Sequence, residues 1–396
     1  MDRAGRLPTW VFILPAVLGL SLFAVYFLQI RNQPFARYLV ANPLVYDMEA
    51  RDILSGQPYG RAFLMSPLYP GFVALVYRIL RPGPLAVAEA QGLLMALNIF
   101  LLGLVSRRLV ADAPALVAAF AMAFYWSFYY FAGEMVPVTL LITFMLLAVL
   151  LFLDRHGKPN LPALAGGMLL AIALYAARGF PGLASPRGGG AYLGAFLLTA
   201  VFVAGSAAVL LIAGLRPRSR RLLNVAGSGL LLGTACLVWS AAVLLALPMV
   251  ITLLLRPELR YARSGVFVLA LAVPVLASFS HNYAAGGEPV PVTTSFGVNI
   301  FIGNNPGSDG MDPFRLGEND TARQEADRLR LTGSRRSGFY AGLAYDYMRT
   351  DTAAWLRLMG RKALLAVSRI AIDNNADISE RRACWKRFFL PRLNFG

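Results

Sequence analysis

Two carboxylates one residue apart, Asp47 and Glu49, stand at the head of a stretch that opens Tyr46-Asp47-Met48-Glu49-Ala50-Arg51-Asp52-Ile53-Leu54 and closes Ser66-Pro67-Leu68-Tyr69-Pro70. A carboxylate held at a membrane surface can take a proton from an incoming hydroxyl or amine, an effect worth roughly 10² to 10⁴ in rate. The Asp-x-Glu pair could also share a divalent metal through its oxygens. Solvated acids on a loop helix would need neither chemistry, since acids are mostly exposed in any case. Glu134 follows an aromatic-rich segment and is a candidate second acid that orients an acceptor, or simply an interfacial residue at a helix end. Arg61, Arg178 and His281 could offer charge-assisted hydrogen bonds to a phosphate, although an Arg at the end of an apolar run also serves as a topological anchor. Asn304 and Asn305 could line a site or make a plain turn.

The frame that must hold these residues is hydrophobic. Of 396 residues, 57% are hydrophobic and 15% charged, and the mean hydropathy is +0.58, values that fit a multi-pass membrane protein rather than a soluble one. The formal charge of +16 comes from 37 Lys plus Arg against 21 Asp plus Glu. Much of the Arg lies at the ends of apolar runs and forms no aromatic-interleaved stripe, so topology accounts for it and nucleic-acid binding is excluded. The two cysteines, Cys236 and Cys384, give neither a disulfide framework nor a metal site.

Arg3 and Arg6 precede an apolar run that is long for a signal peptide, so a retained anchor is expected over about Thr9 to Ile30 with its N-terminus in the cytoplasm. Residues Arg31 to Pro84 then form an extracytoplasmic loop. Within it Tyr69 to Leu80 is too short to span and reads as a helix lying on the membrane surface. Further spans are expected at about Leu85–Val105, Ala115–Phe131, Val136–Leu153, Leu161–Ala177 and Ala191–Leu215. The apolar stretch Leu222–Leu255 reads as two short spans broken around Ser240 or Pro248, or as one long tilted helix, and a last span lies at about Gly265–Ser280.

From His281 to Gly396 the chain is more polar and reads as a small extracytoplasmic α+β domain. It has a strand or hairpin over Pro289–Ile302, a loop over Gly303–Gly310, and helices at about Asp320–Leu331, Ser337–Met348 and Thr352–Ile372. The last places Trp355, Met359, Ala363, Ala366 and Ile370 on one face, which rests either on the membrane or on the domain's own core. The apolar and basic end, Phe388–Gly396, reads as a chain cut before further spans. The fold class expected is an all-α multi-pass bundle over residues 1–280 carrying that domain over 281–396.

A first span, an outside loop with an acidic motif near its start, a Ser-Pro-Leu-Tyr-Pro turn, a short helix and then a bundle resemble the GT-C fold glycosyltransferases. Within them the chain is most similar to the bacterial protein mannosyltransferase and aminoarabinose transferase type. The likeness is carried by Tyr46-Asp47 with Ala50, Ile53, Leu54 and Gly56; by Ser66–Pro70; by Tyr129–Glu134; by Gly297–Gly310; and by Trp355–Lys362 with Asp373–Ile378. The resemblance implies an inverting transfer of a sugar from a polyprenyl-phosphate carrier to a protein, lipid or glycan acceptor, on the outer face of a bacterial-type cytoplasmic membrane. One essential carboxylate suits that chemistry, because a phosphate leaving group needs little protonation, unlike the two-carboxyl arrangement of glycoside hydrolysis. The family places its key Asp a few residues before the Tyr, where this chain has Asn42 and Pro43, so the role falls to Asp47 or Glu49. Two other classes remain beside this one: a lipid or solute transporter, which would need polar or broken helices at the midplane and inverted repeats, neither of which stands out in the sequence, and a membrane scaffold, which would need no acidic loop.

Overall fold

The computed structural model describes residues 7–56, 62–153, 161–178, 217–255, 260–310 and 320–368. The described residues are helical throughout, without a strand. Three helical stretches, Thr9–Ile30, Pro84–Leu109 and Arg260–Ala285, are long and apolar enough to cross a membrane. The first comprises a 3-10 turn and α1 (Ile13–Ile30). Between it and the second lie α2 (Ala41–Leu54) and α3 (Leu68–Ile79). The second is α4 (Pro84–Leu109), whose ends are written in the sequence: Pro84 sits in its first turn after Gly83 at φ 134°, and Arg107 and Arg108 meet the negative end of its dipole.

The expected third span is bent. Helices α5 (Asp112–Phe124) and α6 (Trp126–Gly133) meet at 53°, and counted together they make a fourth candidate span. The bend is at Tyr125, which is extended at φ −79°, ψ 100°; Tyr129 donates its hydroxyl to the Ala123 carbonyl across it. Next come α7 (Val138–Phe152) and α8 (Leu161–Arg178). At 15 residues, α7 is about 22 Å long, short of the ~30 Å hydrocarbon core. The expected span Ala191–Leu215 lies outside the described residues.

After α9 (Pro217–Val238) the chain breaks at Trp239, ahead of Ser240, and resumes as a 3-10 turn and α10 (Ala246–Leu254). The long α11 (Arg260–Gly286) contains Pro274. Helices α9 and α11 cross closely because two glycines one turn apart face carbonyls: a Cβ on Gly229 would stand 2.3 Å from the Phe267 oxygen, and one on Gly233 2.3 Å from the Leu271 oxygen. Backbones approach this closely only where small residues line the crossing.

Two expectations are corrected. Helix α3 does not lie on a surface: nine of its twelve residues are buried, packed against α2, α4 and α8. Up to Tyr77 its apolar run is covered by protein, by its neighbours α2 and α4 and by the more distant α8, while Ile79 and Leu80 at its end are exposed. The strand expected over Pro289–Ile302 is instead an irregular segment followed by α12 (Phe296–Gly303). Its backbone groups find partners without a neighbouring strand. The Asn282 amide donates to the Val290 and Val292 carbonyls at 3.0 Å, and the Thr294 N–H donates to the Phe63 carbonyl at 2.9 Å.

The C-terminal unit is accordingly helical rather than α+β where described: α12, α13 (Thr321–Arg328), α14 (Gly333–Thr350) and α15 (Thr352–Ala366). Asp320 and Asp351 cap α13 and α15 by accepting from the Arg323 and Ala354 N–H groups at 3.1 and 3.0 Å. Phe301, Ala326, Tyr340 and Ala344 form its small core. Glu288 ties it to the preceding segment by accepting from the Ser334 N–H at 2.8 Å, at the start of α14.

Candidate functional site

The acidic stretch folds as α2, and its two acids leave solvent. Asp47 is 8% exposed and Glu49 4%. Two residues apart on a helix they point in different directions, and each meets a tyrosine. The Tyr77 hydroxyl, near the end of α3, donates to Asp47 Oδ1 at 2.5 Å. Arg51, one turn on along α2, donates its Nε to Asp47 Oδ2 at 2.8 Å and lies over the Tyr77 ring at 5.8 Å. With one donor on each oxygen the carboxylate is fixed in orientation, while an ionised carboxylate can accept further bonds. Arg51 is itself 56% exposed on its side chain, so it carries the site toward solvent.

Glu49 shares a face of α2 with Tyr46, whose ring meets that of Tyr69 edge-on at 4.8 Å. Burial, then the charge of Glu49, pushes the Tyr46 hydroxyl well above its ordinary range. Tyr69 is shifted the same way by burial first, then by Tyr46, Tyr77 and Glu134, and Tyr77 by burial first, then by its bond to Asp47. All three therefore stay protonated as donors. The three acids thus gather around the tyrosines of α2 and α3: Asp47 on Tyr77, Glu49 on Tyr46, and Glu134 within electrostatic reach of Tyr69.

Gln91 of α4 joins this cluster to the end of α6. Fully buried, it accepts from the Tyr69 hydroxyl at 2.9 Å and donates to the carbonyls of Ala132 and Glu134 at 3.0 and 2.5 Å. Glu134 is the half-buried residue that ends α6.

His281 packs against the loop ahead of α3. It is buried near the end of α11 with its ring stacked on Phe63 at 4.2 Å. The next residue, Asn282, accepts from the Phe63 N–H at 2.8 Å, so this corner clasps the loop that leads into Ser66–Pro70. Asn304 is placed in the C-terminal unit, where its amide donates to the Ile300 carbonyl at 2.8 Å and accepts from Trp355 Nε1 at 3.1 Å. Asn305 holds the following turn through the Phe301 carbonyl at 2.8 Å and the Gly307 N–H at 2.8 Å. Arg61 lies outside the described residues, and so does the side chain of Arg178, which closes α8.

The structure therefore brings together Asp47, Glu49 and Glu134, and it adds the side chains of Tyr46 and Tyr69, until here only part of the motif, together with Tyr77, Arg51 and Gln91. Tyr46, Arg51 and Tyr69 lie in the stretch quoted at the outset, and Gln91 carried a signal as one of the few polar side chains in the α4 span. Among the described residues no group of three or more His, Cys, Asp or Glu is arranged to hold a metal ion. No family model matches the chain, and neither the curated proteins nor the solved structures provide a match.

Proposed function

We propose that the chain is a multi-pass membrane glycosyltransferase that moves a sugar from a polyprenyl-phosphate carrier to an acceptor on the outer face of the membrane. The observation that carries this reading is the buried Asp47 carboxylate, held between Tyr77 and Arg51 on the helix that follows the first long apolar helix. Burying an acid is costly unless it is hydrogen-bonded, and Tyr77 and Arg51 supply one donor to each oxygen of this one. The resemblance of the Tyr46–Pro70 stretch to GT-C enzymes supplies the reaction class.

In this mechanism Asp47 accepts the proton of the acceptor hydroxyl or amine as its heteroatom attacks the sugar anomeric carbon. The carbon–oxygen bond to the carrier phosphate breaks from the opposite face, so the configuration inverts and the polyprenyl phosphate departs. Arg51 engages Asp47 through Nε only among its described hydrogen bonds, and the rest of its N–H fork would stabilise the charge growing on that phosphate. Arg51 is the better-exposed candidate for the phosphate, since His281 is buried with its ring stacked on Phe63. Glu49 and Glu134 would orient the acceptor through the tyrosine cluster.

A lipid or solute transporter is the second reading, favoured by the helix breaks at Tyr125 and Trp239. Vesicles holding the purified chain, a polyprenyl-phosphate sugar and an acceptor separate the two. New glycosidic product supports the transferase, whereas movement of the donor between leaflets without product supports the transporter.

A further inference from the structure

Helix α15 has two unlike faces. One packs on its own unit: Trp355 donates to Asn304, Lys362 donates to the Gly303 carbonyl, and Leu358, Lys362 and Leu365 surround Gly310. Burial lowers the pKa of Lys362 from its ordinary value. The other face comprises Ala353, Leu356, Gly360, Ala363, Leu364 and Val367, all exposed, at the 3-4-3-1-3 spacing of a single helical band. Leu364 is 71% exposed and Val367 84%. The band is rotated from the one expected over Trp355, Met359, Ala363 and Ala366, because Trp355 and Met359 are partly covered.

The charge on this helix selects what covers the band. From Thr352 to Ala366 there is no acidic residue and three basic ones. Two of these, Arg357 and Arg361, are exposed and one turn apart along the same edge of the band. Arg361 also reaches Asp309 at a long 3.6 Å, with both side chains about half exposed. An apolar strip edged by arginines is what an anionic lipid surface accepts, with the strip at the acyl boundary and the guanidinium groups at the phosphates.

We propose that this face of α15 lies in the headgroup region of an anionic bilayer and moors the C-terminal unit to the membrane. The proposal rests on the membrane reading above, and the experiment separates the two. The full chain, with Cys236→Ala and Cys384→Ser, carries a single environment-sensitive fluorophore at Leu364→Cys or, as a control on α1, at the exposed Val17→Cys. It is reconstituted in phosphatidylglycerol–phosphatidylcholine vesicles with brominated acyl chains.

Quenching at both positions is expected. The docked-to-undocked ratio at residue 364 should fall about fivefold for each of Arg357→Ala and Arg361→Ala, since a basic residue near such a surface contributes about 1 kcal/mol. Quenching at 17 but not at 364 would overturn the proposal and leave the membrane reading standing. A label at 364 shielded from aqueous iodide but not quenched by lipid would also overturn it, assigning the band to another protein surface. Quenching at neither position would overturn both.

Discussion

Replacing Gln91 by Leu should be among the most damaging single changes in the bundle. The substitution leaves the Tyr69 hydroxyl and the Ala132 carbonyl without the amide that pairs with them at 2.9 and 3.0 Å. The Glu134 carbonyl keeps a second donor, the Val136 N–H at 2.9 Å. A buried polar group that loses its partner costs roughly 1 to 3 kcal/mol, so two of them give about 2 to 6 kcal/mol. The lower end applies where the unfolded chain finds other partners within detergent or lipid. Tyr69→Phe alone strands the Gln91 oxygen and Gln91→Leu alone strands the Tyr69 hydroxyl, whereas the double change strands neither, so it should cost at least about 2 kcal/mol less than the two single changes summed. Equilibrium unfolding of the four proteins in mixed detergent micelles measures this cycle. A loss below about 1 kcal/mol for Gln91→Leu, or additivity within about 0.5 kcal/mol, would refute the link between α3 and α6.

The crossing of α9 and α11 gives a second prediction. Gly229→Ala and Gly233→Val drive a side chain against carbonyl oxygens 2.3 Å away and should cost roughly 1 to 3 kcal/mol or more. Gly166→Ala has nothing within 4 Å and should gain up to about 1 kcal/mol; equal melting shifts in all three would contradict the crossing. Asn282→Leu removes the clasp on Phe63 and on the irregular segment, so hydrogen exchange at the Phe63 amide should quicken about 10- to 100-fold, as a loss of roughly 1.4 to 2.8 kcal/mol implies. Arg51→Ala breaks a pair that is 56% exposed on the Arg side and should change stability by less than about 1 kcal/mol while lowering transfer sharply. A stability loss that accounts for the whole drop in activity would reduce Arg51 to a structural role.

How much of this was legible in the sequence differs from element to element. Helix α4 is marked at both ends, by Pro84 and by Arg107-Arg108, so its expected limits fall inside the observed ones. The break near Ser240 was one of two expected places. The bend at Tyr125 has no proline or glycine to announce it, and an aromatic run there reads equally well as an interfacial belt. The burial of α3 is a property of the helices around it, which no local pattern reveals: a short, mostly apolar helix looks the same on a membrane surface and inside a bundle. Over Pro289–Ile302 the alternating β-branched residues pointed to a strand, but the second half folds as α12 and the carbonyls of Val290 and Val292 are taken up by a side-chain amide. At the site, Asp47 and Glu49 were visible as an odd acidic pair. Tyr77 was hidden because it lies 30 residues from Asp47 and joins it only through the packing of α3 on α2.

The most direct test of the central claim is sugar transfer from a polyprenyl-phosphate donor by the reconstituted chain and its Asp47→Asn variant. Asparagine fills the same space and still accepts from Tyr77 through one oxygen, so the fold should be kept while the base is lost. Transfer by the wild type and a fall of roughly 10² to 10⁴ in the variant are expected, with stability lowered by less than about 1 kcal/mol through loss of the exposed Arg51 bond. Full activity in Asp47→Asn would contradict the claim.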